Sequence, residues 1–346
     1  MKLSEVLFYE QPIKYIVESD LYNDAHEVPV LTAGKSFLLG YTNEKSGIYE
    51  NLPCIIFDDF TTAIKYVDFP FKVKSSAMKI LTTNDKNDLR YLYHFLSTIK
   101  LDTELHKRYW ISRYAELDVD LPSLPEQQRI AAELDAVCSV LAKQKKQYKL
   151  LGELVKSKFN EMFGCPVANE RCWDVKTGHE LFVFTSGKFN PISNLSDNYD
   201  YLCYGGNGVT GKSKDYLVDL PTIVIGRVGA YCGSVHKTNN KIWVTDNAIY
   251  IKNFKTQDFD VMFLYELFLQ QNLNKFANYS GQPKITQQPL QSLNYIIPPI
   301  ELQTQFAAFV THTEQSKATL KSQMQQTETL YKGLMQKYFE SEGGQE

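Results

Sequence analysis

The most constraining feature of the sequence is an internal repeat. A shift of 176 positions (298 − 122) places Pro122 on Pro298 and Gln127 on Gln303 without a gap. Both copies open with proline, continue as a long helical pattern and follow a less regular, aromatic-rich segment. A duplicated unit of this kind predicts two similar modules related by an approximate twofold. We therefore expect the target of this chain to have two sites as well.

The helical copies carry an apolar period of seven residues, which predicts a coiled-coil seam. The predicted seam positions are Leu134, Leu141, Tyr148, Leu151 and Val155 in the first copy and Leu320, Met324, Tyr331 and Leu334 in the second. Pro125 and Glu126 suit a first helical turn, and Gly164 suits a helix end. From Glu126 to Phe163 the rod would be roughly 57 Å long. Two matching rods in one chain favour an intramolecular antiparallel pair over an intermolecular zipper.

The other two blocks predict short strands followed by one helix. Apolar runs predict strands at 28–32, 54–57 and 77–81 and a helix at 88–99 in the first block. The second block predicts strands at 201–204, 222–225 and 248–251 and a helix at 261–273. The sequence therefore predicts an α+β fold with four segments. These are a first domain at 1–120, a helix at 121–165, a second domain at 166–296 and a helix at 297–346.

Composition excludes several classes of protein. The net charge is −3, so the chain has no global basic field. The first residues lack the apolar core of a signal peptide, and no run of about 18 apolar residues suggests a membrane span. Six cysteines form no C-x-x-C pair, which favours a reduced, cytoplasmic protein. A zinc site at Cys165 and Cys172 is a minor alternative, because the spacing is wrong for common zinc motifs.

The sequence predicts no catalytic residues, no metal and no cofactor. The six histidines are scattered, and no glycine-rich cofactor loop of a DNA methyltransferase is present. The segment 206–213 satisfies the phosphate-loop pattern G-x-x-x-x-G-K-[ST]. That chemistry needs a helix after the loop, whereas this sequence predicts another strand. Nucleotide hydrolysis is therefore a minor alternative.

The run Leu-Pro-Ser-Leu-Pro-Glu-Gln-Gln-Arg-Ile at 121–130 resembles a signature of a known family. It is similar to the proline–glutamate–glutamine signature that opens the spacer helices of type I restriction–modification specificity subunits. Residues 297–303 are a looser second copy, and 29–35, 204–208 and 280–286 resemble segments of the family's target-recognition domains.

The resemblance implies two pseudo-symmetric target-recognition domains joined by two long antiparallel coiled-coil helices. Each domain would read one half of an asymmetric, bipartite site in double-stranded DNA. The helices would set the spacing between the halves and bind DNA methyltransferase subunits, two of which are expected. Restriction and translocase subunits would be further partners, and methylation and cleavage would belong to these partners.

Candidate DNA contacts follow from the chemistry of base and phosphate recognition. Base edges are read by paired donors and acceptors, and phosphates by cations and backbone N–H groups. The first block offers Lys35, Tyr41, Thr61, Thr62, Lys65, Lys107 and Arg108. The second block offers Gly206, Asn207, Gly208, Lys212, Lys214, Arg227, Tyr231, Gln282 and Lys284. Arg227, just past a predicted strand, is the best single base reader. Each residue could instead be an ordinary loop cation or turn residue.

Two alternatives stay open from the sequence alone. Asp58 and Asp59 could accept a hydrogen bond from cytosine or could simply cap a turn. The whole chain could be a coiled-coil adaptor whose two heads bind proteins instead of DNA. Binding to duplex DNA that weakens steeply with salt would favour the DNA reader.

Overall fold

A computed structural model describes residues 1–32, 36–99, 108–255 and 259–339. The chain forms two compact units. Unit 1 consists of Met1–Gln144 with Gln323–Glu346, and unit 2 consists of Lys145–Ser322. Each unit therefore includes part of both long helices. The four-segment division made from the sequence stays a prediction.

Unit 1 is built on two sheets. Its strands are β1 (Leu7–Glu10), β2 (Val28–Leu31), β3 (Leu38–Thr42), β4 (Cys54–Asp58), β5 (Ile64–Val67), β6 (Lys72–Val73) and β7 (Met78–Thr83). One sheet has the order β1-β7-β4-β5, with every neighbouring pair antiparallel. The other has the order β3-β2-β6, in which β6 runs parallel to β2.

Strand β4 is buried on both faces, which explains its continuous apolar run. Ile55 and Phe57 lie in one hydrophobic core, and Cys54 and Ile56 lie in another. Successive side chains of a strand point to opposite faces, so a strand covered on both sides needs apolar residues at every position.

The described part of unit 1 has two short helices and the start of a long one. They are α1 (Leu89–Thr98) and α2 (Tyr109–Ser112), followed by the start of the first long helix, α3 (Leu124–Phe163). The Asp88 side chain accepts a hydrogen bond from the Tyr91 amide at 2.8 Å and caps α1. Helix α3 ends at Phe163, and the next residue, Gly164, has a φ of 74°, the left-handed conformation typical of a helix stop.

Unit 2 repeats this construction. Its strands are β8 (Asp174–Thr177), β9 (Phe182–Ser186), β10 (Tyr201–Gly205), β11 (Gly208–Ser213), β12 (Ile223–Gly226), β13 (Val235–Lys237), β14 (Ile242–Val244), β15 (Ala248–Phe254) and β16 (Asn294–Ile297). Its helices are α4 (Gly178–Leu181), α5 (Val261–Gln270), α6 (Gln287–Ser292) and the start of the second long helix, α7 (Ile300–Phe339).

Two sheets have the same strand order in both units. The order β9-β15-β12-β13 matches β1-β7-β4-β5, and β11-β10-β14 matches β3-β2-β6, including the parallel pair. The remaining sheet of unit 2, β8 with β16, pairs Thr177 with Asn294. In unit 1 the corresponding contact is a single bridge between Lys2 and Asp118. The repeat seen in the sequence is therefore also a repeat of topology.

The two long helices run antiparallel. In unit 1, Ile130 and Leu134 near the start of α3 share a core with Tyr331 and Leu334 near the end of α7. In unit 2, Val155 and Phe159 near the end of α3 share a core with Phe306 and Val310 near the start of α7. The α+β class and the antiparallel pair of long helices are thereby confirmed.

The predicted seam residues are unequally buried. Leu134, Val155 and Leu320 are buried, whereas Leu141, Leu151, Met324, Tyr331 and Leu334 are half-buried. Tyr148 is 40% exposed, and the Lys317 Nζ lies 5.8 Å from the centre of its ring. The polar and aromatic pair therefore interrupts the apolar seam in unit 2.

One helix is shorter than predicted. The sequence indicates a helix at 261–273, but α5 ends at Gln270. Asn272 takes the left-handed conformation with φ of 50°, which ends a helix, and a 3₁₀ turn follows at Leu273–Phe276. Across the described ranges, no helix combines the length and apolar character that crossing a membrane requires.

Candidate nucleic-acid interface

The phosphate-loop match in unit 2 forms a β-hairpin. Strands β10 and β11 pair antiparallel, with Gly205 opposite Gly208 and the tip at Gly206 and Asn207. Because strand β11 takes the place of the helix that a phosphate loop needs, the phosphate-binding alternative is wrong for this segment. Gly208 has φ of 92°, which favours glycine at this turn.

The hairpin tip is fixed by protein contacts. The Ser234 hydroxyl donates to the Gly206 carbonyl at 2.5 Å, and His236 Nε2 lies 3.4 Å from the same oxygen. A Cβ at Gly206 would lie 3.2 Å from the Asn247 carbonyl oxygen. Gly206 therefore allows close packing within the unit, and the tip presents Asn207 from a braced turn.

Arg227 follows strand β12 directly and is held by its backbone. Its amide donates to the Asn247 carbonyl at 2.9 Å, and its carbonyl accepts from the Ile285 amide at 2.9 Å. Burial raises the pKa of the Cys232 thiol, which keeps its proton and donates to the same carbonyl. The guanidinium donates from Nη1 to the Asp246 carbonyl at 3.2 Å. In the described part of the chain this is its one side-chain hydrogen bond, so four of its five donors are free for a ligand.

The segment before α6 lies against the Arg227 loop. The Gly229 amide donates to the Pro283 carbonyl at 2.9 Å, and Val228 bridges to Lys284. Gln282 and Lys284 are exposed, as is Tyr231 at 52%. The structure thus brings Arg227, Gln282 and Lys284 together, although up to 57 positions (284 − 227) separate them in the sequence.

The two remaining lysines among the candidate DNA contacts of unit 2 are Lys212, on the hairpin, and Lys214, just after it. Lys212 Nζ donates to the Asp197 carbonyl at 3.3 Å, and Lys214 is exposed. Neither belongs to the backbone contacts that hold Arg227, so their place in a DNA interface remains a prediction.

Unit 1 has an acid at the position that Arg227 occupies in unit 2. The Asp59 amide donates to the Ala77 carbonyl, and its own carbonyl accepts from the Tyr109 amide at 3.1 Å. Tyr109 matches Ile285 at the 176-position shift, so Arg108 matches Lys284. The backbone framework is conserved between the units, while the side chains on it differ in charge.

Asp58 and Asp59 are internal turn residues. Asp58 accepts from the Phe60 amide at 2.9 Å and from the Thr61 hydroxyl. Asp59 accepts from the Trp110 amide at 2.9 Å and pairs with Lys79 at 3.4 Å, and both members of the pair are buried. The interpretation of these acids as cytosine acceptors is therefore wrong, because their carboxylates are already engaged inside the protein.

The other candidate DNA contacts of unit 1 lie in different places. Thr61 and Thr62 shape the turn after β4, where Thr62 has φ of 59°. Tyr41 lines an open apolar pocket of about 520 Å³ with Phe37 and Phe69, and the Lys65 Nζ lies 5.8 Å from the Phe37 ring centre. Tyr41 and Lys65 therefore meet at one surface. Arg108 is exposed before α2, whereas Lys35 and Lys107 lie outside the described residues.

The cysteine pair suggested for zinc does not gather further ligands. Cys165 and Cys172 are both exposed. Within the described ranges, no group of three or more His, Cys, Asp and Glu residues is arranged to hold a metal ion.

Comparison with known proteins identifies the family. The profile described as "Type I restriction modification DNA specificity domain" matches residues 1–150 and again residues 170–328. The chain belongs to this family. The resemblance inferred from the proline–glutamate–glutamine signature is confirmed.

Two curated members of the family are similar in sequence. The specificity subunit of the type I restriction enzyme EcoR124I/EcoR124II of Escherichia coli is 46% identical over 168 residues, which cover 43% of this chain. The EcoprrI specificity subunit of Escherichia coli is 29% identical over 250 residues, or 64% of this chain. The matches span 42% and 60% of the lengths of these relatives.

Solved structures of the family share the fold. The S subunit of a type I restriction–modification system from M. genitalium has a TM-score of 0.70 at 17% identity and covers 97% of this chain and 94% of its own. A structure described as showing complex assembly and conformational transition of a type I system has a TM-score of 0.52 at 18% identity. It covers 98% of this chain and 96% of its own.

The sequence analysis did not predict a structural role for several polar residues whose hydrogen bonds hold the two units together internally. Ser234 braces the hairpin tip, and Gln127 and Gln303 are buried polar residues at the starts of the long helices. The two glutamines coincide in the internal repeat, and this coincidence was the available signal. Ser234 had no comparable signal, because its partner lies 28 positions away.

Proposed function

We propose that this chain is the specificity subunit of a type I restriction–modification complex that reads an asymmetric DNA site in two parts. Unit 1 reads one half and unit 2 reads the other. The observation that carries this proposal is the pair of equivalent positions Asp59 and Arg227. They occupy the same backbone framework, but one is a buried, ion-paired acid and the other a half-buried cation. Different chemistry on one scaffold supports two different half-sites.

In unit 2, Arg227 is the base reader. A guanidinium with free paired donors suits the O6 and N7 acceptors of guanine in the major groove. Lys284 contacts a phosphate, and Tyr231 offers an exposed aromatic face for a further contact. Gln282, whose side-chain nitrogen lies beside Gly229, is the second residue for base contact. The shared backbone hydrogen bonds of these segments support their acting as one surface.

In unit 1, the corresponding surface relies on other residues. Arg108, the counterpart of Lys284, supplies a cation, and Lys65 supplies another next to Tyr41. Apolar groups around Tyr41 suit contact with the thymine methyl group. We infer a half-site with a composition different from that read by unit 2.

Catalysis belongs to partner subunits in this proposal. Two DNA methyltransferase subunits bind the chain and perform base flipping and methylation, and restriction and translocase subunits perform cleavage. The antiparallel helices set the distance between the half-sites. A chain with a net charge of −3 gains affinity for DNA from the basic surfaces of these partners. The complex works in the cytoplasm, where its DNA target lies.

The helix lengths test the proposal. Removing one heptad from the middle of α3 and one from the middle of α7 shortens each rod by about 10 Å, or about three base pairs of DNA. Methylome sequencing of cells that carry the chain and its methyltransferase should then show the same half-site bases with a shorter gap. An unchanged gap, or altered bases in the half-sites, would refute the spacer role.

The adaptor alternative makes a different prediction. A DNA reader loses affinity for duplex DNA steeply as salt rises, with a slope that counts phosphate contacts. Salt-insensitive binding to a protein, without measurable binding to DNA by the assembled complex, would favour the adaptor. The match of the family profile to both repeats supports the DNA reader.

A further inference from the structure

The buried side chain of Gln127 joins the start of the long helix α3 to the start of helix α1 in unit 1. Its Oε1 accepts from the Asp88 amide at 2.9 Å, and its Nε2 donates to the Pro122 carbonyl at 2.9 Å and to Asn87 Oδ1 at 3.3 Å. Only 1% of Gln127 is exposed. Asp88 is the residue that caps α1, so the amide links α3 to the first turn of α1.

Gln303 makes the same link in unit 2. Its Oε1 accepts from the Asp260 amide at 2.9 Å, and its Nε2 donates to the Pro298 carbonyl at 2.8 Å. Gln303 is fully buried, and Asp260 caps α5. Both glutamines, both prolines and both capping acids therefore occupy equivalent places, although the surrounding sequence has diverged.

The geometry needs one side-chain atom that accepts and one that donates, as an amide provides. One side of the group must accept from a backbone N–H and the other must donate to a backbone carbonyl, and the glutamine side chain between them is buried. A buried donor or acceptor that loses its partner is strongly unfavourable. An amide held at both ends also fixes a direction, because its donor and acceptor cannot exchange places. This link therefore fixes how α1 packs on α3 in unit 1, and how α5 packs on α7 in unit 2.

We propose that Gln127 and Gln303 are positioning residues, each of which fixes one recognition unit on its long helix and thereby controls the reading of one half-site. The proposal rests on the proposed function, since it concerns half-site reading. It assigns separate halves to the two glutamines because the hydrogen bonds of Gln127 join residues of unit 1 and those of Gln303 join residues of unit 2.

The test uses the conservative substitutions Gln127→Glu and Gln303→Glu in the full chain assembled with its methyltransferase. An ionised Glu accepts from the Asp amide but cannot donate to the Pro carbonyl, whereas a protonated Glu does both. Because burial favours the protonated form, the hydrogen-bond pattern returns as the pH falls. Gln128→Glu and Gln305→Glu are matched controls, since both positions are exposed neighbours on the same helices.

The readout is selection from duplex libraries in which one half of the wild-type site is randomised at a time. At about pH 8 we expect Gln127→Glu to lose about tenfold of the base discrimination in one half only, and Gln303→Glu in the other half only. Discrimination should recover at about pH 6. Gln127→Met, which lacks both hydrogen bonds at every pH, should lose discrimination in the same half without recovery.

The results of this selection distinguish a failure of the positioning role of the two glutamines from a failure of the proposed DNA-reading function. If the wild type selects no two-part site, the proposed function fails and this proposal fails with it. If the wild type selects such a site and the variants keep discrimination, or lose it equally in both halves, only the positioning role is overturned. Loss without recovery at low pH in the Glu variants would also overturn it.

Discussion

His94 Nε2 lies 2.9 Å from Asp135 Oδ1 in unit 1, and His94 Nδ1 lies 3.3 Å from the Tyr331 hydroxyl. One buried imidazole on α1 therefore contacts both long helices. Burial lowers the pKa of His94 although Asp135 acts in the opposite direction. Burial also raises the pKa of Tyr331 to about 12. The neutral ring with its proton on Nε2 donates to Asp135 and accepts from Tyr331.

This relationship predicts acid sensitivity of unit 1. The folded state holds neutral His94, whereas an unfolded chain protonates it with a pKa of about 6.5. Stability from the neutral ring is thus present above about pH 6.5 and is lost as the pH falls below it. Hydrogen exchange of α1 should quicken relative to the intrinsic rate between about pH 7 and pH 5. His94→Gln should abolish this extra dependence and exposed His312→Gln should retain it; an identical pH profile in His94→Gln would contradict the prediction.

Glu266 predicts the opposite pH response in unit 2. It lines a cavity of about 350 Å³ with Glu314 and Lys317, and burial raises its pKa to about 7 despite Lys237. The folded state binds its proton more tightly, so stability falls as the pH rises from about 4.5 to about 7. We expect Glu266→Gln to gain about 1–2 kcal/mol of unfolding free energy at about pH 8, allowing for partial screening.

Denaturant unfolding followed by hydrogen exchange of α5 measures the effect of Glu266→Gln. Exposed Glu170→Gln, outside any helix or strand, is the control and should change the unfolding free energy by less than about 0.5 kcal/mol. Equal stability of Glu266→Gln and the wild type at both about pH 5 and about pH 8 would refute the prediction.

Substitution of Arg227 should reduce the discrimination between bases, whereas substitution of Lys284 should reduce the affinity for all DNA sequences. Arg227→Ala should cost about 1–3 kcal/mol and relax one base position, because a bidentate contact with a base is removed. Lys284→Ala should weaken binding to all sequences alike and reduce the salt slope by about one phosphate contact. Binding of the assembled complex to single-base variants over a range of salt measures both. A uniform loss in Arg227→Ala, with every base preference retained, would exclude it as a base reader.

Phe306 should be essential to the packing of unit 2. It is fully buried, and its ring centre lies 5.5 Å from those of both Phe159 and Phe163. Phe306→Ala should lower the unfolding free energy by about 3–5 kcal/mol, because it leaves a cavity where α7 meets α3. Phe189 is 74% exposed, so Phe189→Ala should change stability by less than about 0.5 kcal/mol. Chemical denaturation measures both, and a loss in Phe306→Ala of less than about 0.5 kcal/mol would contradict the prediction.

Much of the architecture could be predicted from local sequence patterns. The helix predicted from Glu126 to Phe163 is observed at Leu124–Phe163, and the helix predicted at 88–99 at Leu89–Thr98. Apolar runs located β2, β4 and β7 with their counterparts in unit 2. Strand β11 escaped prediction, because Val209 is its one large apolar residue and it forms through its hairpin partner β10.

The sequence by itself determined the repeat, the two long helices and the family, since periodicity, capping residues and the proline–glutamate–glutamine signature are local properties of the chain. Only the tertiary structure decided which polar residues act together. It buried Asp58 and Asp59 inside unit 1, joined Arg227 to Lys284, and turned Gln127 and Gln303 into links between helices. A side chain's hydrogen-bond partners and its access to water depend on segments far away in sequence. A local sequence pattern therefore cannot predict those partners or that exposure.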